Sequence, residues 1–137
     1  MNNNANMILV VQVNGTPMLE YDRAKTLSAA QQQSLFLMQE KLDKGLTLNE
    51  NYIANPTLEQ RVEFISANLI AAILNDDEVP AAASCAYLAH VLPELKQIKA
   101  LEENGEISIE LIFDRDYQPE EKLNFIPLKN INKTELN

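Results

Sequence analysis

Two Asn-Gly pairs constrain what this chain can fold into more than any other feature of it. Asn14-Gly15 separates the largely apolar run Met7–Val13 from Thr16–Asp22, and Asn104-Gly105 separates Leu95–Glu103 from Glu106–Asp114. Asn-Gly suits a two-residue turn in which both central residues take positive φ, and between apolar runs it is the strongest short-range hairpin signal. The sequence thus predicts one antiparallel pair near each end. Gly45 follows a helical pattern, where a left-handed residue after the helix C-terminus favours glycine. The three glycines are then all assigned to turns, and none is left to approach a ligand phosphate.

Each turn implies a register. The first sets Val13 opposite Thr16, Gln12 opposite Pro17, Val11 opposite Met18 and Val10 opposite Leu19. Pro17 falls where no hydrogen bond joins it to its partner. It offers no donor to a third strand, so this strand should be a sheet edge. The second turn sets Ala100 opposite Ile109, Lys99 opposite Glu110 and Ile98 opposite Leu111. One face then reads Ile98, Ala100, Ile107, Ile109, Leu111 and Phe113, and the solvent face reads Gln97, Lys99, Ser108 and Glu110. A one-residue slip would mix the two faces. Leu95, Ile98 and Leu101 also fit helical spacing, so Pro93–Glu103 has a competing helical reading. The strand is preferred.

Three helices are expected between the hairpins. Ser28 and Gln31 make a capping box, opening a helix to about Lys44 with Leu35, Met38 and Leu42 on one stripe. Asn49–Asn55 reads as a connection with room for a short extended piece. Thr57 and Gln60 repeat the capping box, and Leu58, Val62, Ile65, Leu69 and Ile73 recur at helical spacing. The third helix starts near Pro80 and is rich in Ala, so its axis can approach its neighbours closely and it should be the most buried. The expected architecture is α+β, ββ-ααα-ββ, with the helices packed on one sheet face. Whether the hairpins share a sheet stays open. Residues 7–117 are expected to form a single domain, with 1–6 disordered and 118–137 an irregular or disordered tail.

Charge narrows the function classes. Against 20 Asp+Glu stand 11 Lys+Arg, a net charge of -9. Phosphate contacts need clustered Lys and Arg, so a nucleic-acid partner is not expected, nor is docking on anionic lipid. No segment reaches the ~18 apolar residues of a membrane span, and no secretory signal pattern opens the chain. One Cys fits a reducing compartment, and the expected localisation is cytoplasmic.

No motif with specific spacing marks a catalytic centre. Cys85 and His90 lie five apart on one helix, ~140° around its axis, too far to share a metal or form a nucleophile–base pair. Cys85 reads as a small buried hydrophobe and His90 as a cation at a helix C-terminus. Asp76-Asp77-Glu78 lacks the spacing of a calcium loop. No catalytic residue, metal ligand or cofactor is assigned. Two sets of residues remain. Asp22-Arg23 and Asp114-Arg115 each follow an aromatic residue at a strand end, in the echoing runs Leu19–Arg23 and Leu111–Arg115. Arg binds carboxylate or phosphate bidentately, so these four are candidate ligand-binding residues, with an ion pair pinning the sheet ends as the structural alternative. Leu35-Phe36-Leu37-Met38 is an unbroken apolar run that sweeps ~300° of a helix, far more than one core stripe needs. Phe36 and Leu37 are therefore candidate interface residues, facing a protein partner or a second copy. The sequence favours a small acidic protein-interaction module that meets a protein partner or forms a homodimer. The alternative is a small-ligand-binding domain or enzyme using the Asp/Arg strand ends.

Overall fold

The computed structural model describes residues 7–118. The segments 1–6 and 119–137, expected to be disordered and irregular, lie outside the described residues. The elements run β1 (Ile8–Val13), β2 (Thr16–Asp22), α1 (Ala29–Asp43), β3 (Leu46–Leu48), β4 (Asn51–Ile53), α2 (Leu58–Leu74), α3 (Glu78–Val91), β5 (Gln97–Glu103) and β6 (Glu106–Ile112). The fold is α+β, with three helices. The order is not the expected ββ-ααα-ββ, because the hairpin β3–β4 intervenes between α1 and α2.

Both Asn-Gly turns form with positive φ at each central residue. The two hairpins join in one sheet of order β2-β1-β5-β6, through parallel pairing of β1 with β5. The sheet is therefore mixed. A parallel neighbour needs a long crossover, which the three helices supply. The second hairpin keeps the register read from its turn, with Lys99 opposite Glu110 and Ile98 opposite Leu111. The first departs from it. Gln12 faces Pro17, but Val11 faces Leu19 and Val10 faces Glu20, so the Val11–Met18 and Val10–Leu19 pairs do not form. Met18 is the extra residue of a bulge. Proline in a strand is tolerated at edges and bulges, and β2 is an edge beside a bulge.

One sheet face carries Leu9, Val11, Val13, Ile98 and Ala100 into a core with Val62, Ile65, Leu69 and Leu88 of the helices. α3 lies between α1 and α2 and is the most buried helix: eight of its residues, Ala81 and Ala83–Ala89, are buried. Leu58 does not join the predicted stripe and is exposed at the first turn of α2. The face away from the helices is not wholly open either. Gln97, read as solvent-facing, is 4% exposed. The chain after β6 turns back across it, so that Gln97 donates to the Arg115 carbonyl at 3.0 Å and accepts from Gln12 at 2.9 Å.

Candidate functional site

The antiparallel partners of β1 and β5 end where those strands begin, so Asp22-Arg23 and Asp114-Arg115 lie at the same end of the sheet, beyond its two opposite edges. The structure does not bring the four side chains into one site. Arg23 reaches inward, and its Nη2 donates to the carbonyls of Leu92 at 3.3 Å and Leu95 at 2.9 Å. Leu92 is the C-terminal cap of α3, and its carbonyl also accepts the Leu95 N–H at 3.0 Å, so the guanidinium ties the end of β2 to the turn that follows the helix. Asp22 accepts from the Ala24 amide at 2.9 Å, closing the turn after β2. Among the described residues, Arg115 donates to its neighbour Asp114, at 2.9 Å, with both largely exposed. No ion pair among the described residues crosses between the hairpins at these positions. A shallow pocket of about 280 Å³ does bring Arg23 near Phe113, Lys96 and the Pro93–Leu95 connection. Lys96 there faces Asp116 at 3.8 Å.

Cys85 is fully buried, and burial pushes its thiol up to about 12. Tyr21, on the helix-facing side of β2, is also raised, chiefly by burial and then by the neighbouring Cys85. A thiolate is the reactive form, and this environment opposes it. Among the described residues, no three His, Cys, Asp or Glu side chains gather in a way that could hold a metal ion, and no helix is long and apolar enough to cross a membrane.

The other candidate residues form a surface. The capping box of Ser28 and Gln31 sets the start of α1. The helix buries only Leu42 fully, with Leu35 and Met38 partly buried against the core. Four consecutive apolar residues cannot all face inward, and Phe36 is 54% and Leu37 47% exposed. Leu37, but not Phe36, lines a groove of about 510 Å³ between α1 and α2, together with Met38, Phe64 and Asn68. Its α1 wall carries Glu40, Lys41 and Lys44. Phe64 and Asn68 were not singled out in the sequence. Their one signal is that Phe64 lies off the Val62–Ile65–Leu69 stripe, and this large apolar side chain is only partly buried against the core. The chain matches no protein-family model, no curated protein and no solved structure.

Proposed function

We propose that the protein is a binding module rather than an enzyme, and that it pairs with a second copy of itself through the outer face of α1. The observation that carries this reading is the exposure of Phe36 and Leu37 on α1, with Leu37 on the wall of the α1–α2 groove. Aromatic residues and Met are enriched in protein contacts, and the two exposed side chains on one copy have an apolar groove to enter on the other. Charge favours a second copy over an oppositely charged partner. The charged residues from Ala29 to Lys44 are Glu40, Lys41, Asp43 and Lys44, which cancel, on a chain of net charge -9. Two acidic copies can meet on this surface without like charges gathering at the contact. Arg23, by contrast, already donates to two carbonyls, so the ligand reading of the strand ends has less support.

Light scattering over a concentration series tests the reading. The wild-type chain should reach twice the monomer mass. Phe36→Glu should give a monomer with unchanged circular dichroism. A wild-type chain that stays monomeric at high concentration, or a Phe36→Glu variant that dimerises as well as wild type, removes self-association from the account.

A further inference from the structure

The two edges of the four-stranded sheet are unlike. β2 is protected: Pro17 offers no N–H, and the bulge at Met18 breaks the spacing an added strand would need. β6 reads Glu-Ile-Ser-Ile-Glu-Leu-Ile, with no proline and no bulge against β5. Among the described residues no strand pairs with its outer side. Glu103 and Glu106 flank the two-residue turn and form the first hydrogen-bonded pair, so Glu106, Ser108 and Glu110 turn their backbone groups toward β5. The N–H and C=O groups of Ile107, Ile109 and Leu111 point outward.

A groove of about 340 Å³ lies along that edge, between β6 and α2. Val62, Ile109 and Leu111 give it apolar walls, and Glu59 and Glu63 line it from α2. Ser66 also lines it, one turn beyond Glu63. Ser66 is 3% exposed, and its hydroxyl finds no hydrogen-bond partner among the described residues. On the opposite face of the strand stand Glu106 and Glu110. None of these four carboxylates forms an ion pair among the described residues.

We propose that β6 accepts an extended segment of a partner protein as a fifth strand, with Lys or Arg side chains in the groove under α2. Backbone pairing along an exposed edge supplies affinity, and pockets for alternate side chains supply specificity. A long basic side chain matches this groove, since its aliphatic stem lies on apolar walls while its cationic head seeks polar partners. Glu63 offers the charge, and the Ser66 hydroxyl offers an acceptor that nothing else uses. A second copy of this chain is the wrong occupant. Antiparallel pairing of two β6 edges brings Glu59, Glu63, Glu106 and Glu110 of both copies to one seam, and pairing about Ser108 sets Glu106 of each copy directly opposite Glu110 of the other, where like charges are destabilising. This proposal is independent of the α1 surface.

The test uses the full chain and a capped synthetic peptide of about seven residues alternating Val and Lys, the length of β6. Its control alternates Val and Glu. Amide exchange is followed by NMR. In the free protein the amides of Ile107, Ile109 and Leu111 should exchange much faster than those of Ser108 and Glu110. The Lys peptide should protect those three amides, and should bind at least about tenfold more tightly than the Glu peptide. Ile107→Pro removes an outward donor without touching the bonds to β5, and should abolish the protection at Ile109 and Leu111. Glu59→Gln with Glu63→Gln should weaken binding severalfold while leaving the fold intact. The proposal is overturned if the three amides are already protected in the free protein, which would mean that another segment of the chain or a second copy occupies the edge. It is equally overturned if the Lys peptide protects none of them, or if Ile107→Pro binds as well as wild type.

Discussion

Arg23 and Arg115 close similar short runs, aromatic-Asp-Arg, yet their surroundings give them different weights. Arg23 is partly buried and bridges the end of β2 to two carbonyls in the α3–β5 connection. Hydrogen bonds from a charged donor contribute about 1.5–3 kcal/mol, less at an acceptor that keeps a second donor, as the Leu92 carbonyl keeps the Leu95 N–H. Arg23→Ala should therefore lower stability by about 1–3 kcal/mol in urea unfolding. Arg115→Ala loses only an exposed pair with its neighbour and should stay within about 0.5 kcal/mol of wild type. Cys85 gives a second test at this scale. Its thiol ordinarily titrates near 9.0 and is raised to about 12 in the fold. The unfolded chain therefore loses this proton first as pH rises. The stability tied to the neutral thiol is present below pH 9 and falls as pH climbs from 9 toward 12. Between pH 8 and pH 10.5 the wild-type protein should lose more stability than Cys85→Ala, measured by denaturant titration at each pH. Equal losses would mean that the thiol is not held neutral. Burial of Cys85 was legible from its Ala and Ser neighbours. The carbonyl contacts of Arg23 were not, because they depend on how α3 ends against a sheet whose order the sequence leaves open.

At the scale of elements, local signals with a backbone cause were legible, and those without one were missed. Both capping boxes form, at Ser28–Gln31 and Thr57–Gln60, because each needs only side chains three residues apart. The β3–β4 hairpin was missed because its turn is Asn49-Glu50, with φ of 50° and 69°. Asn tolerates positive φ, but Glu gives no hint of it. The end of α2 is similar. Asp77 N–H bonds the Ala72 carbonyl and Asp76 N–H bonds that of Ile73, with Asp76 at φ 59°. This is a Schellman cap with aspartate where glycine is usual. Glu50→Gly and Asp76→Gly should each raise stability by about 0.5–1 kcal/mol, since glycine relieves the left-handed cost. Gly45→Ala should do the reverse. At φ 109° its Cβ would fall 2.8 Å from the Ile53 carbonyl, in the space that Tyr52 fills as its hydroxyl donates to the Lys44 carbonyl at 2.5 Å. Thermal or urea unfolding of the three variants should show two gains and one loss.

Over the whole molecule, neither hairpin's residues encode that β1 and β5 lie side by side and parallel. That pairing is fixed by how three helices cross from β1 to β5, and by the Gln12–Gln97 bond that joins the two strands on the far face. The distribution of charge, by contrast, is legible, and it separates the two proposed surfaces experimentally. Each copy carries -9, so two copies approaching through α1 repel over their whole surfaces while the contact itself is nearly neutral. Salt screens that long-range repulsion, with a Debye length of about 30 Å at 0.01 M falling to about 8 Å at 0.15 M. Self-association should therefore tighten as salt rises through that range. Binding of a basic strand at β6 runs the other way, because the carboxylates of Glu59, Glu63, Glu106 and Glu110 attract it and salt weakens that attraction. Sedimentation of the wild-type chain and peptide titration, both over the same salt series, should thus give dissociation constants that move in opposite directions. A dimer that weakens with salt would mean that ion pairs, not Phe36 and Leu37, hold the copies together.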